Sequence, residues 1–262
     1  MNPMGLKALT RTRDPKYGTF LLEFTTPGIG YILAAAGCDF VVIDLEHSGL
    51  GLESVKPLLR YLEAARLPAI VGLQGKDNHF ISRTLDLGAA GVMPPMVETA
   101  DEVREMVSHA KFPPEGRRAV SVQVGHDRYT PGPVDDMLAA TNARTVFFAK
   151  VETAAAIEDI DRIAGMAGVD GLWVGHYDLS ASLGIPGQFD NPVFTDAIDR
   201  VVVACRDNQL ALGRIASSVA EGKALVDAGF DFIAYSGDAW ILRDALKSAI
   251  TELRQAVGES KP

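Results

Sequence analysis

The chain of 262 residues carries 34 acidic and 25 basic side chains, giving a formal net charge of −9, and 47% of it is hydrophobic. This hydrophobic fraction is sufficient for a full core. The acidic balance without basic clusters argues against nucleic acid and anionic membrane surfaces as partners. Charges interrupt every apolar run among the first 14 residues, so we expect neither a signal peptide nor a membrane span there.

Cysteine usage gives an expectation about the compartment. Cys38 and Cys205 each lie in an apolar context and have no CxxC spacing. They are typical of reduced core residues, which predicts a cytoplasmic location.

Short apolar runs alternate with helical patterns along the whole chain. Each run has the length and the β-branched or aromatic content of a buried parallel strand. We predict strands at residues 19–24, 40–45, 69–73, 91–93, 145–151, 171–174, 211–216 and 230–235.

Between these runs, apolar residues recur at helical spacing. The clearest helices are predicted at residues 52–66, 79–87, 99–111, 153–166, 193–207, 219–228 and 240–257. Eight strands alternating with helices predict the α/β class and one (β/α)8 TIM barrel over residues 1–262. A doubly wound sheet is the alternative, but the chain has no complete glycine-rich dinucleotide loop.

Residues 112–141 have no clear periodicity and are rich in proline and glycine. A connection of this length inside a compact domain is usually functional. We therefore expect an irregular functional loop or lid here.

Two acidic residues follow consecutive strands in the middle of the chain. Glu152 comes directly after the strand at 145–151, and Asp178 follows the strand at 171–174. Either acid alone could simply interact with a helix dipole. Together, at adjacent strand ends where barrels bind ligands, they favour a hard-cation site. Mg²⁺ or Mn²⁺ would suit it, and Co²⁺ is a further candidate.

A second polar group closes the strand at 40–45. Alternation places Asp44 and Glu46 on one face, and His47 lies just past the strand end. A lone histidine is more often structural, but neighbouring carboxylates raise the pKa of an imidazole and fix its tautomer. His47 is therefore a candidate general base.

Five motifs together resemble those of the HpcH/HpaI family of metal-dependent class II pyruvate aldolases. They are D-L-E-H at 44–47, P-P-M-V-E-T-A at 94–100, F-P-P-E-G-R-R at 112–118, K-V-E-T at 150–153 and D-L-S-A-S-L-G at 178–184. The resemblance runs from about residue 19 to about residue 250. It implies a barrel of the phosphoenolpyruvate/pyruvate type and a hexamer whose subunits exchange the last helix.

The activity that the resemblance implies is carbon–carbon bond cleavage by an aldehyde-lyase. A 4-hydroxy-2-oxo acid would be split reversibly into pyruvate, or a related 2-oxo acid, and an aldehyde. A divalent metal would stabilise the enolate. The partners would thus be small molecules.

The resemblance also assigns roles to individual residues. It makes Glu152 and Asp178 the metal ligands, His47 the base and Asp86 the partner that orients His47. The backbone from Gly175 to Asp178 would bind the substrate carboxylate, and the supporting groups would be Asp44 and Glu46.

Two departures concern the positive charge in the pocket. The family usually has an arginine on the third strand and a glutamine two residues before the metal-binding glutamate, where this chain has Gly72 and Lys150. Lys150 shares a face with Glu152, one layer deeper. We hypothesise that Lys150 takes over part of the arginine's role in binding substrate. Alternatively, Lys150 merely pairs with an internal acid.

Another departure is His176-Tyr177, where the family commonly has Pro-Ala. Both side chains are larger, so we expect them to reshape the aldehyde end of the pocket. On the seventh strand we expect Ile215 to face the pocket, which makes Arg214 a less suitable substitute for the missing arginine.

Three other functions stay open on the sequence. Lys150 could form a Schiff base in a metal-independent aldolase. The chain could be a related lyase or hydrolase acting on a 2-oxo acid or an acyl thioester. It could also be a non-catalytic barrel that binds a small oxo acid, although the retained acids and His47 argue against this.

Overall fold

The structure is a computed structural model that describes residues 5–259. The expectation about the first residues and the outer bounds of the predicted domain therefore fall partly outside the described residues. Eight parallel strands close into one barrel in chain order, which confirms the predicted (β/α)8 architecture.

The strands are β1 (Lys16–Leu21), β2 (Phe40–Asp44), β3 (Ala69–Gly72), β4 (Gly91–Met93), β5 (Val146–Val151), β6 (Gly171–Val174), β7 (Ala211–Ala216) and β8 (Phe232–Gly237). The helices are α1 (Leu6–Leu9), α2 (Ile29–Ala35), α3 (Leu52–Ala64), α4 (Asn78–Asp86), α5 (Ala100–Ala110), α6 (Val134–Arg144), α7 (Ala154–Glu158), α8 (Ile160–Ala164), α9 (His176–Ser182), α10 (Pro192–Asp207), α11 (Val219–Asp227) and α12 (Asp238–Ala256).

The first strand begins three residues earlier than the sequence pattern indicates. Lys16 pairs with Phe232 of β8, and its ammonium lies 3.6 Å from the buried carboxylate of Asp231. A lysine is not expected to open a buried strand. Here the opposite charge compensates for its burial.

Two helical regions also differ from the prediction. The helix expected at residues 153–166 is broken at Asp159, whose carboxylate accepts a hydrogen bond from the Ala100 N–H at 2.7 Å. The short helix α9 directly after β6 was not predicted, and it carries Asp178 in its first turn.

The expectation of an irregular functional loop or lid at residues 112–141 is wrong in its secondary structure from Val134 onward, where α6 begins. The segment contains a 3-10 turn (Gly125–Asp127) and most of α6, a helix that buries only Thr141 and Asn142 and so has little apolar periodicity. Within the segment, Arg118 pairs with Asp86 at the end of α4. The end of a helix in a parallel barrel precedes the next strand, so this segment lies at the N-terminal face, away from the mouth of its own barrel.

Aromatic side chains fill the inside of the barrel. Phe40, Phe148, Trp173 and Phe232 are almost fully buried there. Small residues on adjacent strands make room for them: a Cβ at Gly213 would lie 2.2 Å from the Trp173 ring. The α1 residues Leu6 and Leu9 belong to the same cluster. The barrel is thus packed rather than open below its C-terminal mouth.

Outside the barrel, the apolar faces of the helices pack on the strands in a second and larger core cluster. None of the helices within residues 5–259 is long and apolar enough to cross a membrane.

Candidate active site

The turn after β2 is organised by Asp44. One oxygen of its carboxylate, Oδ1, accepts the backbone N–H groups of Glu46 at 2.8 Å and His47 at 3.2 Å. The His47 side chain is 62% exposed, and its Nε2 atom lies 3.8 Å from Glu46 Oε2. This places an accessible imidazole at the mouth beside a carboxylate, as the sequence pattern predicts for a general base.

Lys150 lies between two acidic side chains. Its Nζ atom is 2.7 Å from Glu46 Oε2 and 2.7 Å from Glu152 Oε1. The Lys150 side chain is only 12% exposed, and Glu152 is almost completely buried. The expectation that Lys150 pairs with an internal acid is therefore met twice, and the pairs tie the end of β2 to the end of β5.

The electrostatics of this cluster favour an ammonium group. Burial alone would lower the pKa of Lys150, but the carboxylates of Glu152 and Glu46 outweigh burial and raise it. Burial also raises the pKa of Glu152, against the opposing effects of the Lys150 ammonium and the Met96 N–H. Lys150 is thus charged at neutral pH.

Glu152 has a further partner that the sequence did not suggest. The backbone N–H of Met96 donates to Glu152 Oε2 at 2.9 Å, and Met96 has a φ of 51°. A positive φ is uncommon for a non-glycine residue and often occurs at functional sites. The only sequence signal was the preceding pair Pro94-Pro95, which ends β4 but does not predict this backbone conformation.

The backbone at Gly175 lies directly against the Glu152 carboxylate. A Cβ at this position would be 2.1 Å from Glu152 Oε1, so a larger residue would displace the acid. Asp178 follows three residues later in the first turn of α9. It is exposed, and no group within residues 5–259 donates a hydrogen bond to its side chain.

The donor chemistry of this region fits a hard divalent cation. Glu152 and Asp178 offer carboxylate oxygens just past two paired strands, β5 and β6, and the Gly175 backbone lies against Glu152. No three acidic, imidazole or thiol side chains of the described chain are gathered as a complete metal cage. Two protein carboxylates with positions left for substrate and water suit Mg²⁺ or Mn²⁺ better than such a cage.

Gly72 lies in the barrel interior between Asp44 and Met93, its register partners on the adjacent strands. A Cβ here would be 3.6 Å from Met93 Cε and 3.8 Å from Asp44 Oδ1, which are ordinary contacts. The surroundings of Gly72 therefore do not require glycine at this position.

The other predicted pocket residues divide into two groups. Ile215 is partly exposed on β7, and Tyr177 is 67% exposed on α9. His176 is instead buried, with its ring centroid 5.0 Å from that of Phe189. The neighbouring Arg214 pairs with Glu221 of α11 at 3.1 Å. His176 thus packs on Phe189 and Arg214 forms an ion pair with Glu221, and substrate contacts by His176, Tyr177 and Ile215 stay predictions.

Asp86 is not beside His47 within this chain. It is the last residue of α4, before β4 begins, and its carboxylate lies 2.5 Å from the Arg118 guanidinium. His47 follows the end of β2. Because the strands are parallel, the two residues lie at opposite ends of the barrel. The fold thus gives no support to Asp86 as the partner that orients His47.

The barrel thus carries His47, the Lys150 ammonium and the carboxylates of Glu152 and Asp178 just past the carboxyl ends of its strands, where barrels of this kind bind their ligands. The family model for HpcH/HpaI aldolase/citrate lyase matches residues 16–245. The chain belongs to this family, as its motifs predicted, and is therefore an enzyme of the aldolase class.

Three known proteins show how far the similarity extends. A hydroxypyruvate/pyruvate aldolase of Paraburkholderia phytofirmans is 34% identical, over 95% of this chain and 97% of that protein. A 2-keto-3-deoxy-L-rhamnonate aldolase of Salmonella typhi is 32% identical, over 96% and 94%. The crystal structure of an HpcH/HpaI aldolase from Desulfitobacterium hafniense matches with a TM-score of 0.89, at 29% identity over 96% and 97% of the two chains.

The buried imidazole next to the site predicts an acid-sensitive fold. Burial, assisted by the Arg214 charge, lowers the pKa of His176 to about 4. Between the ordinary histidine pKa of about 6.5 and that value, the unfolded chain binds a proton that the folded chain does not. Stability is therefore lost as pH falls through this range, by up to about 3 kcal/mol from this residue.

Urea unfolding at pH 7 and pH 4.5 tests this prediction. The decline in unfolding free energy should be smaller by about 2 kcal/mol in His176→Gln than in the wild type. The exposed His79, changed to Gln, provides a control that should decline as the wild type does. Equal declines in the wild type and His176→Gln would contradict the prediction.

Proposed function

We propose that this enzyme reversibly cleaves a 4-hydroxy-2-oxo acid to pyruvate, or a related 2-oxo acid, and an aldehyde. The observation that carries the proposal is the cluster at the mouth. His47 lies beside Glu46, and Glu46 shares the Lys150 ammonium with Glu152. The two relatives named for pyruvate, hydroxypyruvate and 2-keto-3-deoxy-L-rhamnonate support the same class of substrate.

His47 would act on the hydroxyl group at C4. Its neutral imidazole accepts the hydroxyl proton as the C3–C4 bond breaks, so that C4 becomes the aldehyde carbon. The electron pair of the broken bond passes to the 2-oxo acid fragment as an enolate. C3 of that fragment is then protonated to give pyruvate. Asp44 supports this role because it fixes the backbone of His47.

Glu152 and Asp178 would hold a divalent cation, Mg²⁺ or Mn²⁺ with Co²⁺ as a further candidate. When bound, such a cation supplies Lewis-acid stabilisation of negative charge on the keto oxygen. The N–H groups at the start of α9, after Gly175, would bind the substrate carboxylate. Lys150 would add the positive charge that the family's third-strand arginine otherwise provides.

A Schiff-base reaction through Lys150 is less well supported. That reaction needs a neutral amine. The two carboxylates that contact the Lys150 ammonium raise its pKa and so hold it in the charged form.

Pyruvate release from a panel of 4-hydroxy-2-oxo acids, with and without added Mg²⁺ or Mn²⁺, tests the proposed activity. We expect metal-dependent release that EDTA abolishes. His47→Asn should lower kcat by about 10²–10⁴-fold, because a positioned base contributes that much. His109→Asn, at the far end of α5, is the matched control. Release of neither pyruvate nor another 2-oxo acid from any substrate, with either metal, would refute the activity.

The relocation of the positive charge has its own test at saturating metal. Loss of a charge-assisted contact of about 1.5–3 kcal/mol predicts that Lys150→Gln raises KM for the 2-oxo acid by about 10- to 100-fold. Adding Gly72→Arg to this variant should recover part of the loss, since a Cβ at Gly72 would make only ordinary contacts and the guanidinium restores a positive charge beside Asp44. Gly72→Ala in the same background should recover none. An unchanged KM in Lys150→Gln would refute the relocation.

We also propose a homo-oligomer, a hexamer as the family resemblance implies, in which α12 contacts or is exchanged with another copy of the chain. Helix α12 supports this because only Asp238 is buried in it. A row of large apolar side chains is exposed along the helix: Trp240, Ile241, Leu242, Leu246, Ile250 and Leu253. Several large apolar side chains exposed along one helix are typical of an interface.

Light scattering coupled to size exclusion tests the oligomer. The wild type should elute as an oligomer, and Leu246→Asp with Leu253→Asp should shift it to smaller species, because two charges would be buried in the interface. Ser248→Asp on the same helix is the control. A monomeric wild type would contradict the proposal. The cytoplasmic location stays a prediction that the two free cysteines support.

A further inference from the structure

The two proposed cation ligands, Glu152 and Asp178, differ in whether their carboxylate oxygens already have partners. Glu152 has a partner on each oxygen: Lys150 Nζ lies 2.7 Å from Oε1, and the Met96 N–H donates to Oε2 at 2.9 Å. Its side chain is 1% exposed. Asp178 is exposed and accepts no hydrogen bond from residues 5–259. A cation could reach the Asp178 carboxylate freely. At Glu152, the negative charge is already paired with the Lys150 ammonium.

The partner on Glu152 Oε1 is the Lys150 ammonium, which is itself positively charged. It would therefore affect the binding of a metal cation at the same carboxylate. Mg²⁺ binds carboxylate oxygens at about 2.0–2.1 Å. A divalent cation at Glu152 would therefore come close to an ammonium 2.7 Å from the same carboxylate. Like charges at such separations repel strongly in a buried site, where little water screens them. The cation and the Lys150–Glu152 contact thus oppose each other.

Lys150 has little room to retreat into the barrel. Its register neighbour on β6 is Trp173, and Phe148 precedes it by two residues on the same face of β5. Both rings are buried in the aromatic layer below the mouth. The anion that can hold the ammonium away from Glu152 is either Glu46, already 2.7 Å away, or a ligand carboxylate at the mouth.

We propose that Lys150 gates the cation site. Without a 2-oxo acid, the ammonium shared by Glu46 and Glu152 weakens divalent-cation binding. The carboxylate of an incoming 2-oxo acid draws the ammonium off Glu152 Oε1, so cation and 2-oxo acid bind cooperatively. The inference rests on the proposed function in taking Glu152 as a cation ligand. Because coupling between two ligands is reciprocal, the cation must also tighten 2-oxo acid binding by the same factor.

Titration of the full-length protein with Mn²⁺ tests the gate without a measurement of enzyme activity. Free Mn²⁺ is followed by electron paramagnetic resonance, with and without saturating pyruvate. Without pyruvate, Lys150→Gln should bind Mn²⁺ at least about tenfold more tightly than the wild type, since a repelling charge is removed. Lys150→Arg should bind like the wild type. Lys223→Gln, which removes a surface ion pair on α11, is the matched control.

Pyruvate can also increase the Mn²⁺ affinity simply by chelating the ion, and this contribution is independent of Lys150. The gate therefore predicts that pyruvate tightens Mn²⁺ binding by a factor at least about threefold larger in the wild type than in Lys150→Gln. Glu152→Gln should weaken Mn²⁺ binding in both backgrounds. Equal Mn²⁺ affinities of the wild type and Lys150→Gln without pyruvate would overturn the gate. An Mn²⁺ affinity that is unchanged in Glu152→Gln would also overturn it.

Removal of the lysine also leaves two carboxylates unpaired, so a thermal-shift measurement accompanies the titration. The melting temperature of Lys150→Gln should fall without metal, and Mn²⁺ should raise it more than it raises that of the wild type. Lys150→Met, which keeps the chain length, should show the same response. If Mn²⁺ raises the melting temperatures of these variants no more than that of the wild type, the gate is wrong.

The gate and the activity can fail separately. If no substrate yields pyruvate but the Mn²⁺ affinities differ as expected, the proposed activity is wrong and the gate stands. If pyruvate is released and the Mn²⁺ affinities are equal, the gate is wrong and the activity stands.

Discussion

The ammonium of Lys150 between Glu46 and Glu152 is the interaction on which the mouth of the barrel depends. A buried carboxylate without a partner is costly, and Glu152 is almost completely buried. The pairs fix Glu152 at the end of β5 and hold Glu46 over the mouth from the end of β2. Glu46 lies in turn beside His47, so one lysine sets the distance between the proposed base and a proposed cation ligand.

The proposed relocation of positive charge to Lys150 would account for the glycine on the third strand. Gly72 leaves the interior free of a cation next to Asp44, and Lys150 supplies one from the fifth strand. A guanidinium on β3 and an ammonium on β5 are not equivalent, because arginine forms planar paired hydrogen bonds while lysine is a compact point charge. The family fold is kept, but under this proposal the positive charge would approach the substrate from another side of the barrel. This makes the substrate range the property most open to change in this chain.

The sequence predicted the strands well, because strands buried on both faces are near-continuous apolar runs. It missed the start of β1, where Lys16 is buried beside Asp231, and it missed α6, which buries almost no apolar side chain. At the site, it found the side chains at strand ends. It could not find Met96, whose contribution is a backbone N–H held by a positive φ. Asp86 was assigned from family motifs, which do not show at which end of the barrel one chain places it.

The charges at the mouth explain why substrate and cation should enter together. The mouth carries four carboxylates, those of Asp44, Glu46, Glu152 and Asp178. The Lys150 ammonium is the positively charged side chain that lies among them. Such a surplus of negative charge repels an anionic 2-oxo acid that arrives alone. A divalent cation reverses much of this repulsion, while the carboxylate of the acid offers Lys150 an alternative to Glu152. Under the proposed gate, each ligand would therefore ease the binding of the other, and the aromatic layer beneath the mouth leaves the Lys150 ammonium little space to move away from both.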